Sequence, residues 1–336
     1  MVPIRQPMKI STLLLISLLL TFTSCKDGSG SHSGDSSAKR SFVTIGTAPT
    51  GGAFAPVGNA IANAVQAGAD GNSNLNWKVS TEGTKGTQQN IRALDAGELQ
   101  FGMANSAITY FAIRGEGAWD KKYGVRHVAT LAPNVSQFIA LEKSEIKSFA
   151  DFKGKRVAVG PAGAGFGYFI DPILKAHNIG PDDYKAVNAN YSQSVDMLKN
   201  GDVDVAFLGG AVPIQAVVQA ASTHKVAFVP FDPAAIKSLA EAYPFYRPIK
   251  VAKDKYGFLE ADFNALSCGE MQLITAASLD DETVYQFTKF LWEQRAEVVK
   301  GHPAGKAINE KNVARDVGTE FHPGSAKFYR EIGVLK

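Results

Sequence analysis

One order of elements recurs along this chain and limits what it can fold into: a short apolar strand, a glycine-rich loop and an amphipathic helix. In the first copy, the β-branched residues 42–46 end at a glycine, and the loop that follows contains Gly51 and Gly52. Apolar residues from Val57 to Val65 then recur at the spacing of one helix face, and we expect this helix to end before Gly68. The strand therefore delivers a glycine-bearing loop to the start of a helix.

The same order returns twice further along the chain. Residues 155–159 run into the loop 160–167, and residues 204–208 run into Gly209 and Gly210, each before a helical apolar pattern. Strands that alternate with helices indicate a mainly parallel α/β architecture. The other elements that we predict are a helix over 87–97, a strand over 99–103 and a helix that Ser192 caps and Gly201 ends.

Length and composition fit a folded α/β protein with two domains. The chain has 336 residues, of which 45% are hydrophobic and 20% charged, and ordinary domains have about 100–200 residues. The 35 Lys and Arg residues nearly balance the 32 Asp and Glu residues, for a formal net charge of +3. Such a balance lacks the basic excess of nucleic-acid-binding domains, so we expect no nucleic-acid partner.

The glycine-rich loops are candidate anion sites. Backbone N–H groups at the start of a helix lack partners within the helix and carry partial positive charge. Glycine lets a ligand approach the backbone closely, and Thr50 adds a hydroxyl group to the first loop. For any one loop, tight packing around the glycine explains the residue equally well, but three such loops in one chain favour ligand binding.

The N-terminus has the order of a secretory signal peptide. Arg5 and Lys9 form a basic start, and the apolar residues 10–22 follow. This apolar run is too short to cross about 30 Å of hydrocarbon as a stable helix. We therefore predict a signal peptide over 1–24, with an uncleaved anchor as the alternative.

Residues 21–25 resemble a bacterial lipobox, in which the final cysteine is lipidated and becomes the mature N-terminus; Phe22 stands where such motifs usually have leucine. The resemblance implies a periplasmic protein that is held at a membrane by lipid on Cys25 and has no other membrane contact. Residues 25–40 are polar and rich in Gly and Ser, which predicts a flexible linker. The folded chain should begin near Ser41.

The chain has 2 cysteines, Cys25 and Cys268. With Cys25 consumed by lipid, Cys268 has no partner for an internal disulfide. We expect Cys268 to be buried as a small apolar side chain rather than to act as a nucleophile.

The sequence lacks the motifs of several enzyme and cofactor classes. It has no G-x-x-x-x-G-K-[ST] and no G-x-S-x-G, so neither a P-loop nor that type of hydrolase elbow is predicted. Gly163, Gly165 and Gly167 only approach the dinucleotide fingerprint. The 6 histidines form no H-E-x-x-H and no close pair, so we expect no metal site. No cofactor is predicted, and no general acid or base stands out in the sequence.

The loops belong to a longer set of motifs that resembles the TAXI-type solute-binding proteins, the extracytoplasmic components of a class of TRAP transporters. The resemblance covers residues 42–333, nearly all of the predicted mature chain. It depends on the order of the motifs rather than on any single one. These motifs are IGT at 45–47, TGG at 50–52, PVG at 56–58, QNIR at 89–92, AGE at 96–98, SFADFKGKRVAVGP at 148–161, YPFY at 243–246, LDD at 279–281 and HPG at 322–324.

The resemblance implies a type II periplasmic-binding-protein fold, with two α/β domains joined by hinge strands and a ligand cleft between them. Residues 41–135 would form the first part of domain I, 136–248 domain II, and 249–336 the return to domain I. The chain should cross between the domains at 135–142 and again near 246–251. Ligands of parallel sheets bind beyond the carboxyl ends of the strands, which is where the glycine-rich loops lie.

Positions that contact the ligand in that family map onto both predicted domains. Burial in the core explains Phe54 and Phe166 about as well as ligand contact, and a capping or helix-surface role explains Asn90 about as well. The mapped positions are Thr50, Gly51, Gly52, Phe54, Asn90, Asn105 and Ser106 in the first domain, and Gly163, Ala164, Gly165, Phe166, Gly210 and Pro213 in the second.

The sequence departs from the family pattern at three places. At each of them a polar side chain that would reach into the cleft is replaced by an apolar or a shorter one. Phe54 and Ala55 replace an aromatic pair that carries a phenol. Ala164 and Phe166 stand where Ser and Thr are common, and Asn105 stands where Gln is common. We hypothesise that the ligand is less polar at one end, or that aromatic rings fill space around a smaller carboxylate.

The resemblance implies a binding protein that captures a small carboxylate or dicarboxylate, such as glutamate, and delivers it to a TRAP-type permease. Its expected partners are therefore a small anionic solute and that membrane permease. Two alternatives stay open from the sequence: a ligand-sensing lipoprotein that docks on a membrane receptor, and an exported α/β hydrolase or transferase that uses the same loops.

Overall fold

Ten strands and ten helices are found in residues 40–49 and 51–336, the part of the chain that the computed structural model describes. The predicted signal peptide, Cys25 and Thr50 lie outside the described residues. The strands are β1 (Ser41–Gly46), β2 (Trp77–Glu82), β3 (Phe101–Asn105), β4 (Val125–Leu141), β5 (Arg156–Ala158), β6 (Lys185–Val187), β7 (Val205–Gly210), β8 (Val226–Phe228), β9 (Tyr246–Val251) and β10 (Phe263–Ala276).

The helices alternate with these strands through most of the chain, as the sequence predicts. None of the helices within the described ranges is long and apolar enough to cross a membrane. They are α1 (Phe54–Asp70), α2 (Thr87–Asp95), α3 (Ser106–Ala112), α4 (Gly167–Ala176), α5 (Tyr191–Asn200), α6 (Gln215–Thr223), α7 (Pro233–Ala242), α8 (Asp281–Glu293), α9 (Arg295–Gly301) and α10 (Pro323–Glu331).

Two long strands connect the two halves of a single sheet. The strand order is β2-β1-β3-β10-β4-β7-β5-β6, with β8 beside β4 and β9 beside β10. Strands β1, β2 and β3 are parallel to one another, and so are β5, β6 and β7. Strands β4 and β10 pair with each other and run antiparallel to their neighbours: β10 pairs with β3 of the first set, and β4 pairs with β7 of the second. We call the half around β1–β3 the first lobe and the half around β5–β9 the second lobe.

The crossings between the lobes are visible in the strand pairing. Along β4, residues 125–130 pair with the end of β10, whereas residues 135–139 pair with β7. Along β10, residues 263–268 pair with β9 and residues 271–275 pair with β3, so the chain returns to the first lobe within β10. The domain boundaries at 135/136 and 248/249 stay predictions.

A bulge marks the crossing in β10. The register with β4 shifts between Ser267 and Glu270, and Gly269 has a φ of 105°. A Cβ atom at Gly269 would collide with the side-chain oxygen of Asn105, so both the backbone angle and the space require glycine here.

Glu270 joins the two lobes beside this bulge. The residue is 4% exposed. Arg247, on β9, contacts one carboxylate oxygen at 2.8 Å, and Arg315, after α9, contacts the other at 3.0 Å. The Glu270 N–H donates a hydrogen bond to the Ser106 hydroxyl at 2.8 Å. One buried carboxylate at the hinge is therefore paired with an arginine from each side.

Aromatic rings fill the core of the second lobe up to the loops. Phe138, on β4, lies 5.0 Å from Phe149 and 5.1 Å from Phe207 between ring centroids. Phe207 lies 5.7 Å from Phe169 and 6.1 Å from Phe166. A chain of ring contacts thus runs from the sheet to the loop before α4.

Two predicted helix boundaries are wrong. Helix α1 continues through Gly68 because that glycine lets Phe290 of α8 pack closely; a Cβ at Gly68 would lie 2.7 Å from Phe290. Asn190, rather than Ser192, caps α5: its side chain accepts a hydrogen bond from the Gln193 N–H at 2.9 Å, and the Gln193 side chain accepts one from the Asn190 N–H at 3.0 Å.

The prediction for Cys268 is confirmed. It is fully buried on β10, and burial raises the pKa of its thiol to about 12. A thiol with so high a pKa stays protonated at neutral pH, and the protonated form is not the nucleophile.

Candidate functional site

Loops from both lobes line a partly open cavity of about 70 Å³. It lies at the carboxyl ends of strands from each parallel set, which is where ligand sites of such sheets are found. The residues that line it are Ala48, Pro49, Gly52, Ala53, Phe54, Lys85, Gly86, Thr87, Asn105, Asn134, Pro161, Phe166, Phe169, Asn190, Tyr191, Gly209, Gly210 and Met271.

Four helices of nine residues or more begin at this cavity. The residues just before α1, α2, α4 and α5 are Ala53, Gly86, Phe166 and Asn190, and all four line it. Helices α1, α2 and α4 begin without a side-chain cap. No side chain occupies their first N–H groups, although the Tyr168 and Phe169 N–H groups of α4 donate to the carbonyls of Gly165 and Phe166. The positive ends of the helix dipoles meet at one place.

The Tyr191 hydroxyl is a buried donor at the cavity. Tyr191 is 7% exposed, and its oxygen accepts a hydrogen bond from the Gly209 N–H at 2.9 Å. The hydroxyl proton has no acceptor among the described residues. Desolvation raises the pKa of Tyr191, so the hydroxyl keeps its proton at neutral pH and can donate it to a ligand.

Lys85 brings the single formal charge among the described lining residues. It is exposed, follows β2 and stands at the rim, where a Cβ placed on Gly163 would lie 4.0 Å from its Cδ. Two amides line the interior. The Asn105 side chain accepts from the Ala107 N–H and donates to the Cys268 carbonyl, and the Asn134 side chain donates to Cys268 Sγ at 3.2 Å.

Apolar side chains from both lobes form the rest of the wall. Phe166 and Phe169 come from the second lobe, and their ring centroids are 5.1 Å apart. Phe54 comes from the start of α1, and Met271 comes from β10 just after the bulge. The cavity therefore presents hydrogen-bond donors together with a large apolar surface.

The lobes touch each other around the cavity. A Cβ at Gly51 would lie 2.7 Å from the Ser192 hydroxyl and 3.1 Å from the Ser192 nitrogen. A Cβ at Gly165 would lie 3.2 Å from Ile108 of the first lobe. The Ala118 N–H donates a hydrogen bond to the Tyr168 hydroxyl across the lobes at 3.1 Å. These contacts describe a closed arrangement of the two lobes.

The structure brings five of the mapped positions to the cavity and places the others around it. Gly163, Ala164 and Gly165 form the loop that meets Lys85, Gly86 and Ile108 at the rim. Thr50 is not among the described residues. The five mapped positions that line the cavity are Gly52, Phe54, Asn105, Phe166 and Gly210.

Asn90 and Ser106 lie behind the cavity wall and are fully buried. The Asn90 amide donates to the carbonyls of Thr47 and Met103 at 2.8 Å each, and its oxygen accepts from the Thr84 hydroxyl at 2.7 Å. The Ser106 hydroxyl accepts from the Glu270 N–H. Their side chains are therefore engaged in holding loops and the hinge, and they do not reach the cavity.

A wider groove of about 760 Å³ adjoins the cavity at Gly52 and Gly210. It runs along β4 between the lobes, and the mapped residues Gly51 and Pro213 lie in it. No group of His, Cys, Asp or Glu side chains in the described ranges could hold a metal ion.

Sequence reasoning missed Lys85, Asn134, Asn190 and Tyr191. Asn190 and Gln193 form the capping-box spacing, a signal that would have placed the start of α5, and with it Tyr191, at the end of a strand. Lys85 and Asn134 carry no comparable local signal, because the fold brings them to the cavity from β2 and from the crossing of β4.

Comparison with known proteins fits this architecture. A sequence model of the NMT1-like family matches residues 45–333. The fold is similar to that of a protein described as a periplasmic transporter, with a TM-score of 0.52 and 15% identity over 88% of this chain and 93% of that one. It is also similar to a binding protein component of an ABC phosphonate transporter from Pseudomonas aeruginosa, with a TM-score of 0.51 and 13% identity over 78% of each chain.

At identities this low, the structural similarity shows the fold alone. It is the two-lobed α/β fold of periplasmic binding proteins, as the sequence predicts. The family match extends over most of the chain, from β1 to the end of α10 and just beyond. The chain therefore belongs to the NMT1-like family.

Proposed function

We propose that this protein is an extracytoplasmic solute-binding lipoprotein of the TAXI type, which captures a small anionic solute and delivers it to a TRAP-type permease. The solute in this proposal is a small carboxylate or dicarboxylate. The protein is anchored in the periplasm by lipid on Cys25 and acts as a binding protein rather than as an enzyme.

The observation that carries this proposal is the convergence of four helix starts on a cavity between two lobes. Helix N-termini bind anions through their free N–H groups and their dipoles. The Tyr191 hydroxyl supplies a further buried donor at the same place. These groups come from both lobes, so an anion bound among them favours the closed arrangement.

Capture follows from this geometry and from the hinge strands. The anion enters while the lobes are apart, and the N–H groups of the loops replace its hydration. Closure about β4 and β10 then buries the charge with its hydrogen bonds made, which avoids the cost of burying it unpaired. The closed surface, formed by both lobes, is what the permease recognises in this proposal.

Mass spectrometry of the solute that co-purifies with the protein tests the proposal most directly. We expect a small organic anion that contains a carboxylate. The type of permease is tested separately by the neighbouring genes: a large multi-span membrane protein without an ATP-binding subunit supports the TRAP assignment, whereas an ATP-binding subunit supports an ABC transporter. A bound solute that carries no negative charge would refute the anion site.

The same solute should stabilise the folded protein. At a free concentration one hundred times its dissociation constant, a ligand that binds only the folded state raises the free energy of unfolding by about 2.7 kcal/mol. Urea unfolding with and without the solute measures this effect. An unchanged unfolding midpoint at that concentration would count against specific capture.

Gly51→Ala should weaken solute binding by about tenfold through its effect on closure. The residue has a φ of 94°, and a Cβ there would meet Ser192 of the other lobe. Gly154→Ala is the matched control, since it has a φ of 73° but no atom within 4 Å of its Cβ position. Calorimetry on both variants should show the loss in Gly51→Ala alone; equal losses would mean that backbone strain, rather than lobe contact, is responsible.

A further inference from the structure

We propose that the cleft selects a small monoanion with an apolar body and rejects solutes that carry an ammonium group. This inference rests on the proposed function and narrows its ligand class. It separates simple carboxylates from amino acids such as glutamate.

The polar groups of the cavity suit one anionic head. The starts of α1 and α2 offer backbone N–H groups without a side-chain cap, and the Tyr191 hydroxyl adds a donor. At α4 and α5 some of the first N–H groups are already bonded, and these two helices contribute mainly the positive ends of their dipoles. Lys85 adds a positive charge at the rim. Hydrogen bonds to a charged acceptor are shorter and stronger than those between neutral groups. A carboxylate or sulfonate head can therefore accept hydrogen bonds from several of these donors and is attracted by the partial positive charge of the helix starts.

The same groups oppose a cation. An ammonium in the cavity would meet the positive ends of four helices and the charge of Lys85. The buried carboxylate at the hinge, Glu270, is already paired with Arg247 and Arg315 and does not line the cavity. Closing the lobes over an ammonium would thus bury a positive charge among like charges, which is strongly unfavourable.

The size and the walls of the cavity limit the rest of the solute. A water molecule needs about 10–15 Å³ of cavity volume, so the 70 Å³ of this cavity would hold about five waters. That space suits one head group with a short chain, and a longer solute would extend into the adjoining groove. Phe54, Phe166, Phe169 and Met271 form much of the remaining wall. A second carboxylate inside the cavity would lie against these apolar side chains unless the solute is long enough to reach the groove, whereas a short alkyl chain fits them.

Four commercially available acids test this selectivity by calorimetry with the purified full-length protein, freed of bound solute. Butyrate and 2-aminobutyrate share one carbon skeleton and differ by the ammonium group; succinate and glutamate add a second carboxylate without and with an ammonium. We expect butyrate to bind at least tenfold more tightly than each of the other three. Propane-1-sulfonate, with the same alkyl chain, tests the head group and should bind within tenfold of butyrate.

The variant Tyr191→Phe tests the donor while it keeps the ring that packs near Gly52. We expect it to weaken butyrate binding at least fivefold. Its unfolding midpoint in urea should also fall, because the buried Gly209 N–H loses its acceptor, so binding is measured without denaturant on protein whose circular dichroism matches the wild type. Tyr184→Phe is the control, because Tyr184 is partly buried outside the cavity and makes no hydrogen bond in the described structure. It should bind butyrate like the wild type.

The possible outcomes separate the two proposals. If 2-aminobutyrate, glutamate or succinate binds as tightly as butyrate or more tightly, the inference is overturned while capture of an anionic solute stands. If none of the five compounds binds at millimolar concentration, both the inference and the proposed anion site are overturned. Equal butyrate affinity in Tyr191→Phe and the wild type would remove Tyr191 from the selectivity argument and overturn its assigned role.

Discussion

Phe207→Ala should lower the free energy of unfolding by about 3–5 kcal/mol. Phe207 is fully buried on β7, and its ring contacts the rings of Phe138, Phe166 and Phe169. Removal of the ring leaves a cavity in a core of rigid aromatic side chains that cannot collapse onto it. Because Phe166 and Phe169 line the ligand cavity, the substitution should also weaken solute binding.

Phe42→Ala is the matched control for this prediction. Phe42 also lies on a strand, β1, but it is 66% exposed. Its replacement should change the free energy of unfolding by no more than about 0.5 kcal/mol. Urea denaturation followed by circular dichroism measures both variants, and similar losses in the two would contradict the assigned position of Phe207 in the core.

Acid should destabilise the protein through His127 as the pH falls from about 6.5 to about 4. Complete burial lowers the pKa of His127 to about 4, while Gln272 and Asp316 act in the opposite direction with smaller effect. The unfolded chain therefore binds the proton more strongly than the folded chain does. The stabilisation from the neutral ring is fully present above pH 6.5, decreases below it, and amounts to about 3 kcal/mol.

The substitution His127→Gln should remove most of this pH dependence. Its amide can still bond to Gln272 and Thr130, which both lie 2.9 Å from the ring nitrogens of His127. The free energy of unfolding, measured in urea at pH 7 and pH 4.5, should then differ less in His127→Gln than in the wild type. His224→Gln, at a partly exposed histidine, should keep the wild-type dependence. An unchanged dependence in His127→Gln would assign the acid sensitivity to other groups.

Local sequence patterns were sufficient for the elements that follow one another in the chain. Residues 42–46 fall in β1, and the apolar residues 205–208 fall in β7, which also includes Gly209 and Gly210. No local pattern could show that β4 changes partners near Pro133 or that β10 carries the return crossing, because these depend on pairing between distant segments. The predicted end of α1 before Gly68 was wrong for the same reason: this glycine packs against Phe290, which is distant in the sequence.

The sequence predicted which loops form the candidate site, but it did not predict all of the side chains that line it. Glycine-rich loops at strand ends indicated an anion site, and the helix starts do converge at one cavity. Asn90 was mapped by resemblance, yet its amide is used between loops of its own lobe. Lys85 and Tyr191 come from loops about one hundred residues apart, and only the packing of the lobes brings them together.

The ion pairs of Glu270 restrict how this molecule can move. Arg247 and Arg315 approach its carboxylate from opposite lobes, and the carboxylate has almost no access to water. Loss of either arginine contact would leave the buried carboxylate with one cationic partner instead of two. This would lower the free energy of unfolding by roughly 1–3 kcal/mol. If the lobes open as proposed, both guanidinium contacts are kept only when the rotation axis passes close to Glu270, where displacement is smallest.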